Sequence, residues 1–474
     1  YRSYLDVIAP ILDTGNPSDY YDIQGKIVYD LDESNRLSFL TINGHSETKE
    51  DPQFEQASGI GDYSWERFNT ANTGLTWRHI WGGKGFSDTS ISYSFMKAKD
   101  EGWTVSENQP AYFFSYRNAW INFRNVNQLQ LGSLHQLKFG FEAQHIYFKS
   151  HNFDENGEKK LDGTFGSVFA SYLVYPFENF SLSTGLRLDY FPLSERTHLS
   201  PRISFNYVLT ERFSINGAYG MFYQQMPLFL LKLHPDNIKL KDMQARHLIL
   251  GFRYLLLADT QLILEAYDKQ YDHFPMSPLN PYFFIIDDIS GDDAMFSNWG
   301  SLLDIGKSYA RGIELTLQKK LAKNLYGLVS LTYFKAKYRD LMGNWRNRMY
   351  DNRFIVALSG GYRPNQHWEF NLRWVWMGGR AFSPVDEAKS RQYGFPWYNY
   401  EDIMSGHLSP YKSLSFRVER RFYFKKSNLN LYIGSWNVFD LNNELYRFWD
   451  SYSNQYLSDY MWGAIPFIGM EFEF

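Results

Sequence analysis

Four aspartates crowd into the segment IIDDISGDDAMF, where they could bind a metal ion. Carboxylate oxygens are the ligands that Ca²⁺ prefers, and a glycine between the two pairs would let the chain turn around an ion, although the spacing is not that of an EF-hand loop. The sequence leaves two hypotheses open, a calcium site and a solvated acidic loop, and the acidic loop is the favoured one. Both concern Asp287, Asp288, Asp292 and Asp293.

Aromatic side chains concentrate in two other stretches, residues 381–410 and 443–459, and each stretch also carries an arginine. Aromatic rings stack on sugars, peptides or flat chelates, and an arginine orients an anionic group. We therefore predict a ligand-binding surface on these two stretches; its candidate residues are Arg391, Tyr393, Phe395, Trp397, Tyr398, Tyr446, Arg447 and Trp449. The alternative is that the rings pack loop against loop or belong to an aromatic girdle.

No residues follow a pattern typical of catalysis. The 11 histidines are scattered, and even His145 and His151, on one predicted strand, would lie roughly 20 Å apart. The chain has no cysteine, which excludes disulfides and thiolate metal ligands. We predict that the protein is not an enzyme and has no cofactor, apart from the calcium ion of the first hypothesis.

Composition favours a membrane β-barrel. Aromatic residues make up 19% of the chain, yet the mean hydropathy is −0.44, a combination typical of aromatic girdles around a polar interior. No run of 18 apolar residues is present, so no transmembrane helix is expected. With 48 lysines and arginines against 52 aspartates and glutamates, the chain lacks the basic surface that nucleic acid requires, and nucleic acid is excluded as a partner.

Alternating runs of apolar and polar residues succeed one another along the chain without a helical pattern between them. The last run, MWGAIPFIGMEFEF, shows the rule: Ile468, Met470 and Phe472 alternate with Glu471 and Glu473. About twenty strands are predicted in this way, at residues 1–12, 20–33, 36–47, 66–82, 86–98, 111–129, 135–150, 164–177, 180–191, 198–209, 212–224, 243–257, 260–273, 308–320, 324–339, 351–364, 367–381, 410–425, 428–442 and 459–474.

The connections between these runs alternate between short and long. Short ones such as residues 83–85 and 322–323 are followed by long ones such as 100–110, 192–197 and 275–307. Outer-membrane barrels have short periplasmic turns and long extracellular loops, whereas a soluble sandwich has no reason to follow this rule. If the last strand descends to the periplasm, Glu471 and Glu473 face the lumen near the periplasmic rim, and a missing strand pair would bring the barrel to 22 strands.

One long connection, residues 225–242 (QMPLFLLKLHPDNIKLKD), contains an apolar cluster. The cluster indicates a short helix, a docking surface for a lipoprotein partner, or a loop that folds inward over the lumen.

Several segments resemble one protein family. The opening YRSYLDVIAPIL, the stretch GLRLDYFPLSERTHLSPRISFNYVLTERFSINGAYGMFYQ, the strand start SYARGIEL with Ala310, Gly312 and Glu314, and the closing NVFDLNN and FEF are similar to TonB-dependent receptors of the Bacteroidota outer membrane. The resemblance covers the whole chain.

The resemblance implies the fold and the setting of the protein. We expect an all-β, transmembrane, antiparallel up-and-down β-barrel, with about 20 visible strands of a probable 22, as a single domain over residues 1–474. Family members also carry an N-terminal plug domain and a short box that binds TonB, and neither is recognisable here. Either such a part precedes Tyr1, together with the first two strands, or this is a plugless relative. The terminal aromatics Phe472 and Phe474 resemble the family's signal for barrel assembly.

The function implied is uptake of a nutrient or chelate through a plugged outer-membrane barrel. The expected partners are outer-membrane lipid and lipopolysaccharide, the TonB system through the missing N-terminal region, and a surface lipoprotein or other outer-membrane subunits. Two alternatives remain: a barrel that serves as scaffold or partner subunit of an outer-membrane complex without transporting, and an open porin. The sequence does not identify the substrate.

Overall fold

The computed structural model describes residues 18–53, 62–152, 159–288, 299–451 and 453–474. Within them the chain is nearly all β-strand. The first fourteen strands are β1 Ser18–Asp30, β2 Asn35–Lys49, β3 Asp62–Ile80, β4 Gly85–Thr104, β5 Pro110–Leu131, β6 His135–Asn152, β7 Lys159–Phe177, β8 Phe180–Phe191, β9 Arg196–Thr210, β10 Phe213–Gln224, β11 Met243–Leu257, β12 Thr260–Met276, β13 Leu303–Ala322 and β14 Leu325–Arg339.

The later strands are shorter, and several belong to the long connections. They are β15 Trp345–Asn347, β16 Phe354–Tyr362, β17 Trp368–Met377, β18 Ala381–Phe382, β19 Gly406–His407, β20 Tyr411–Tyr423, β21 Asn428–Trp436, β22 Glu444–Asp450, β23 Gln455–Tyr460 and β24 Ile465–Glu473. Twenty of the strands form one antiparallel sheet, while β18–β19 and β22–β23 form separate two-stranded sheets.

Helices are few and short. Those that can be delimited within the described residues are α1 Leu228–Leu233, a 3₁₀ turn at Pro235–Lys239, α2 Ile285–Asp288 and α3 Glu387–Tyr393. In the described ranges, no helix has the length and apolar character needed to cross a membrane.

The chain forms two compact units. The first contains the described residues up to Tyr175 together with Ser183–Pro201 and Pro227–Lys232. In this unit β1 to β6 each pair with the next strand in the chain, always antiparallel. Long hairpins of this kind are the meander that the alternating runs predict.

The second unit contains Pro176–Leu182, Arg202–Met226 and Leu233–Phe474. Here the order of pairing again follows the chain, from the second half of β9 through β10, β11, β12, β13 and β14 to β16, β17, β20, β21 and β24. The long connections carry their own small elements, since β15 adds to β14 and β18 pairs with β19.

The strands have one apolar and one polar face, and the apolar face is the exposed one. On β24, Ile468 is 83% exposed and Met470 75% exposed. On β8, Leu186, Leu188 and Tyr190 are exposed, while Arg187 between them pairs with Glu142 and Asp189. A water-soluble sheet buries its apolar face, so this inverted pattern is typical of strands whose apolar side meets lipid.

The predicted strands within the described residues each have a counterpart in the structure, and the short connections lie where the sequence places them. The predicted strand 1–12 lies outside the described residues. Several long connections were predicted too long, because the hairpins continue: β4 runs to Thr104 and β5 starts at Pro110, β9 already starts at Arg196, and β13 at Leu303. Pairing along these hairpins satisfies backbone groups that the predicted loops would have left free.

The final strand, in contrast, is shorter than predicted. Instead of one strand over residues 459–474, the chain forms β23 to Tyr460, leaves the strand geometry, and starts β24 only at Ile465. The cause is a turn against Asp440, whose Oδ1 accepts a hydrogen bond from the Ala464 amide at 2.8 Å. A Cβ on Gly463 would lie 2.1 Å from the same oxygen, so a side chain there would displace the Asp440 carboxylate from this bond.

The apolar cluster of residues 225–242 is not an exposed surface. It forms the short helix α1, in which Leu230 and Leu231 are buried. Of the three predicted alternatives, the short helix is present and its central leucines are turned inward. They therefore offer no docking surface for a lipoprotein.

Candidate ligand-binding site

The connection between β17 and β20 presents its aromatic residues from a well-ordered turn around α3. Asp386 caps the helix, since its side chain accepts a hydrogen bond from the Lys389 amide. At the other end Gly394 adopts a left-handed conformation with φ 74°, which glycine tolerates without strain. The helix therefore begins and ends at fixed points, and the residues after Gly394 leave it in a defined direction.

Trp397 is fixed on both sides of its backbone. Its carbonyl accepts a hydrogen bond from the Asp386 amide at 2.8 Å, and its amide donates to the Ser390 hydroxyl at 2.9 Å. Ser390 is fully buried. These bonds hold the segment after the helix against α3, so the rings carried by this segment are pre-organised.

Three predicted residues form one exposed aromatic cluster: Tyr393, Phe395 and Trp397. The Tyr393 and Trp397 rings stack at 4.9 Å between centroids, and Phe395 lies 6.0 Å from Trp397. Tyr393 is 51% and Phe395 50% exposed. Tyr398 forms an isolated antiparallel β-bridge with Val385 on the other side of the turn. Burial and the nearby Tyr456 raise the pKa of Tyr398. The cluster offers flat apolar area for stacking.

The second predicted stretch forms the hairpin β22–β23, which divides its aromatic residues between two sides. Tyr446 and Phe448 are exposed, with their rings 5.8 Å apart. Trp449 is only 5% exposed and packs edge-on against Tyr456 at 5.6 Å. Trp449 therefore supports the hairpin from beneath instead of contributing open surface, which follows from the alternation of side chains along a strand.

The structure brings the two stretches together. Arg391 donates from Nε to the Asn454 carbonyl at 3.3 Å, and its guanidinium lies 5.9 Å from the Trp449 ring centroid. The Val385 amide donates to the Tyr456 hydroxyl at 2.6 Å. On the other side of the contact, the Arg447 guanidinium lies over the Phe382 ring at 5.5 Å. The loop-on-loop packing that was left open as an alternative is thus present, and the exposed aromatic cluster lies beside it.

Both predicted arginines have carboxylate partners. Arg391 bonds Glu387 one helical turn away at 2.7 Å, and Arg447 bonds both oxygens of Glu444 at 2.7 and 3.1 Å. Although burial would raise the pKa of Glu444, hydrogen bonds from Ser458, the Ser409 amide and Arg447 hold that pKa below its usual value. Glu444 therefore stays ionised and ties the hairpin to the segment before β20.

A second stacked pair was missed at the sequence level. Tyr282 and Tyr400 stack at 4.6 Å, and the Arg346 guanidinium lies 5.4 Å from the Tyr282 ring. Arg346 is itself buried, bonds Asp340 at 2.6 Å and donates to the Ile403 carbonyl at 3.1 Å. These residues come from three different connections, and no local spacing in the sequence links them.

The acidic segment is only partly described. Asp287 lies in α2, in the connection that follows β12. Its Oδ1 accepts hydrogen bonds from Nε and Nη2 of Arg348 at 3.0 and 2.5 Å, and its Oδ2 accepts one from the Met349 amide. Its oxygens thus already have partners. Asp292 and Asp293 lie outside the described residues, and so does the Asp288 side chain. Within the described ranges, no three acidic or histidine side chains are arranged to hold a metal ion. The calcium site stays a prediction.

The polar face of the sheet carries linked ion pairs. In the first unit Arg187 joins Glu142, Asp189 and the Ser167 hydroxyl, each at 2.7 Å, and Arg124 also bonds Glu142 at 2.7 Å. At the end of the chain, Phe472 and Phe474 lie 6.1 Å apart and are exposed, while Glu473 on β24 accepts a bond from Asn428. Nothing in this geometry tests the predicted assembly role of the two phenylalanines.

The groups gathered on these two stretches are suited to binding. Stacked rings, guanidinium groups and a rigid hairpin can hold a planar or anionic molecule by stacking and charge. These features lie on long antiparallel strands with an exposed apolar face, the class of sheet found in outer-membrane β-barrels.

The family comparison agrees with this class. Residues 2–454 match the model of the family described as TonB dependent receptor-like, beta-barrel, and the chain belongs to this family. The fold predicted from the sequence is thereby confirmed. No curated protein matches the chain in sequence.

Solved structures share the fold at low sequence identity. A variant of the ferric enterobactin receptor PfeA from Pseudomonas aeruginosa is 17% identical with a TM-score of 0.68, over 90% of this chain and 65% of that one. The outer membrane transporter YddB from Escherichia coli is 11% identical with a TM-score of 0.70, over 97% and 69%. The ferric-catecholate import receptor Fiu from E. coli K12 is 11% identical with a TM-score of 0.66, over 96% and 74%. The chain thus spans about two thirds of the first receptor's length.

Proposed function

We propose that this protein is the barrel of an outer-membrane TonB-dependent receptor that takes up a nutrient or an iron chelate. Family membership supports the receptor class, and the names of the structural neighbours, a ferric enterobactin receptor and a ferric-catecholate import receptor, suggest chelates among the first ligands to try. The exposed apolar face of the strands supports a location in the outer membrane, with lipid and lipopolysaccharide as its surroundings. Several segments are similar to Bacteroidota receptors, and the proposal therefore includes that this is a receptor of the Bacteroidota type.

The structural observation that best supports ligand capture is the exposed cluster of Tyr393, Phe395 and Trp397. Its backbone is fixed by Ser390 and Asp386, so a ligand would not have to order the loop when it binds. Arg391 lies two residues before Tyr393 on α3, and the proposal assigns Arg447, Tyr398 and Tyr446 on the two contacting stretches to the same ligand-binding surface. Trp449 contributes from below by holding Arg391 and Tyr456 in place.

The uptake step needs more than the barrel wall. In this proposal residues 1–474 act as a single barrel domain, and the resemblance assigns the gate to a plug that TonB pulls from the periplasm. A calcium ion at the acidic segment and a surface lipoprotein on the long connections belong to the same proposal as optional partners. No step requires a general acid, base or nucleophile.

Ligand capture is tested by titrating the purified protein and following tryptophan fluorescence. The probes are ferric enterobactin, the iron-free chelator, a peptide mixture and an oligosaccharide mixture. Replacing Phe395 by alanine should raise the Kd of the bound probe about fivefold, since a lost stacked ring costs about 1 kcal/mol. Phe424→Ala, which removes an equally exposed ring from a short connection, is the matched control.

Transport is tested in cells that carry the intact gene. Uptake of the probe that binds should disappear when the gene is deleted and when TonB is absent. A barrel that binds stoichiometric protein partners, while its deletion leaves uptake unchanged, would instead be a scaffold, and the proposal would be wrong. An equal loss of affinity in F395A and F424A would overturn the assignment of the aromatic cluster.

A further inference from the structure

A groove of about 590 Å³ lies on the apolar face of the sheet in the second unit. It crosses β13, β14, β16, β17 and β20 close to their short connections, with Lys319 at one side and Phe416 at the other. The groove is separate from the ligand-binding surface, which is built from the long connections at the opposite ends of these strands.

Two glycines form the floor of the groove. Gly327 on β14 and Gly360 on β16 are direct partners in the register. A Cβ on Gly360 would lie 2.8 Å from the Tyr326 carbonyl oxygen, and one on Gly327 would lie 3.0 Å from that of Ser359. The backbones therefore meet where any other residue would be crowded, and the surface above them is one side chain deeper than its surroundings.

The register identifies the face on which the groove opens. Gly361, next to Gly360, points to the polar face, because its Cβ would touch the Tyr326 ring and Asn371. Gly360 must then point to the other face, since neighbouring residues of a strand alternate. Leu372 is the register partner of Gly360, and Phe416 is the partner of Leu372, so both side chains lie on the same face as Gly360.

The walls are apolar. They are formed mainly by the side chains of Leu317, Leu325, Tyr362, Phe370 and Leu372, which are all exposed, together with Phe416. The charged residue on this face of the groove is Lys319, at its edge, where it bonds Asp259 at 2.7 Å. A polar ligand would lose its hydrogen bonds to water here without replacement, so the groove suits a hydrocarbon.

We propose that the groove binds an acyl chain of a phospholipid from the periplasmic leaflet. The inference rests on the outer-membrane location proposed above, which places the apolar face in lipid. The volume lies within the usual range of ligand pockets, roughly 300 to 1,000 Å³. The groove lies near the short connections, which are periplasmic in outer-membrane barrels, and this favours a phospholipid over lipopolysaccharide. Lys323, exposed in the short connection between β13 and β14, supplies positive charge for its phosphate at that end.

The test uses the intact protein in vesicles of phosphatidylethanolamine and phosphatidylglycerol that contain a phospholipid with a photoreactive acyl chain. After irradiation, the labelled peptides are identified by mass spectrometry. Labelling should be at least about fivefold denser on the residues of the groove than on the rest of the apolar face. Uniform labelling, labelling only by a lipopolysaccharide probe, or crosslinks to a second copy of the protein at these residues would each overturn the proposal.

A variant that fills the groove provides the second test. Val329→Phe places a ring in the groove and should lower the labelling of its walls about tenfold, whereas Val356→Phe makes the same change on the same face outside the groove and should not. Equal labelling in V329F and V356F would also contradict the proposal. If V329F does not fold, the labelling map of the unchanged protein still decides.

The outcome is independent of ligand uptake. A protein that inserts into the vesicles but shows no enrichment refutes the groove alone. A protein that does not insert refutes the membrane location and with it the proposed function.

Discussion

Glu369 on β17 and Glu419 on β20 stand directly opposite each other in the register, and both carboxylates are buried. Like charges in such a position repel. Three arginines offset the repulsion: Arg421 bonds both glutamates, at 3.0 and 2.7 Å, Arg363 bonds Glu369 at 2.7 Å, and Arg417 bonds Glu419 at 2.6 Å. Tyr326 also donates to Glu369. The pair of glutamates is stable only as part of this network.

Removing the central arginine should destabilise the barrel. Arg421→Met leaves two buried carboxylates with one fewer shared donor, and we expect a loss of about 2 kcal/mol in the free energy of unfolding. The measurement is the temperature at which the folded barrel loses its anomalous migration on a gel. Arg420→Met is the matched control, because Arg420 is exposed and lies over the Trp368 and Phe422 rings without a glutamate partner. An equal shift in both variants would contradict the network.

The bond between Ser390 and Trp397 can be tested by hydrogen exchange. Ser390→Ala removes the acceptor of the Trp397 amide, and a lost hydrogen bond of about 1 kcal/mol should speed exchange of that amide roughly fivefold. Gln392→Ala, at an exposed position of the same helix, should leave it unchanged. If exchange at Trp397 is equally slow in S390A, the loop is held by other contacts and the pre-organisation argument fails.

The hairpin β22–β23 should loosen at acidic pH. The folded pKa of Glu444 lies below its ordinary value of 4.5, so its stabilising effect is fully present above that value and is lost as the pH falls through the lower, folded pKa. We expect protease cleavage of the hairpin to increase as the pH is lowered from 5 to about 3. Glu444→Gln should cleave faster at pH 5 and show a flatter profile, and a profile as steep as that of the unchanged protein would show that another group is responsible.

The last residue is predicted to affect assembly. Phe474 is completely exposed at the end of the chain, beside Phe472 on the apolar face. Phe474→Ala should lower the amount of folded protein in the outer membrane several-fold without changing its synthesis, because the resemblance assigns this terminal aromatic to recognition by the assembly machinery. Phe424→Ala serves as control for loss of an exposed ring. Equal amounts of assembled F474A and unchanged protein would remove the assembly role.

Much of the fold could be predicted because alternate residues of a strand face different surroundings and therefore differ in polarity. The run from Leu186 to Tyr190 needed no distant information to be recognised, and the same holds for β24 from Ile465 onward. The ends of strands were less predictable. The break at Gly463 depends on Asp440, and the extension of β4 to Thr104 depends on the strand opposite it.

The candidate site was predicted in its composition but not in its geometry. The clusters of aromatic residues on two connections were visible in the sequence, and so were Arg391 and Arg447. Their contact through Asn454 and Tyr456, and the burial of Trp449, were not visible. Tyr282, Tyr400 and Arg346 gave no signal, since residues on three separate connections have no common period.

The sequence by itself determined the class of protein, the number and faces of most strands and the alternation of short and long connections, because these follow from a local period of two and from turn residues. Only the tertiary structure decided which charges neutralise one another, which rings stay exposed and where Gly327 meets Gly360 to form a groove. These features depend on the register between strands and on contacts between distant connections, which are set by packing of the whole sheet and not by neighbouring residues.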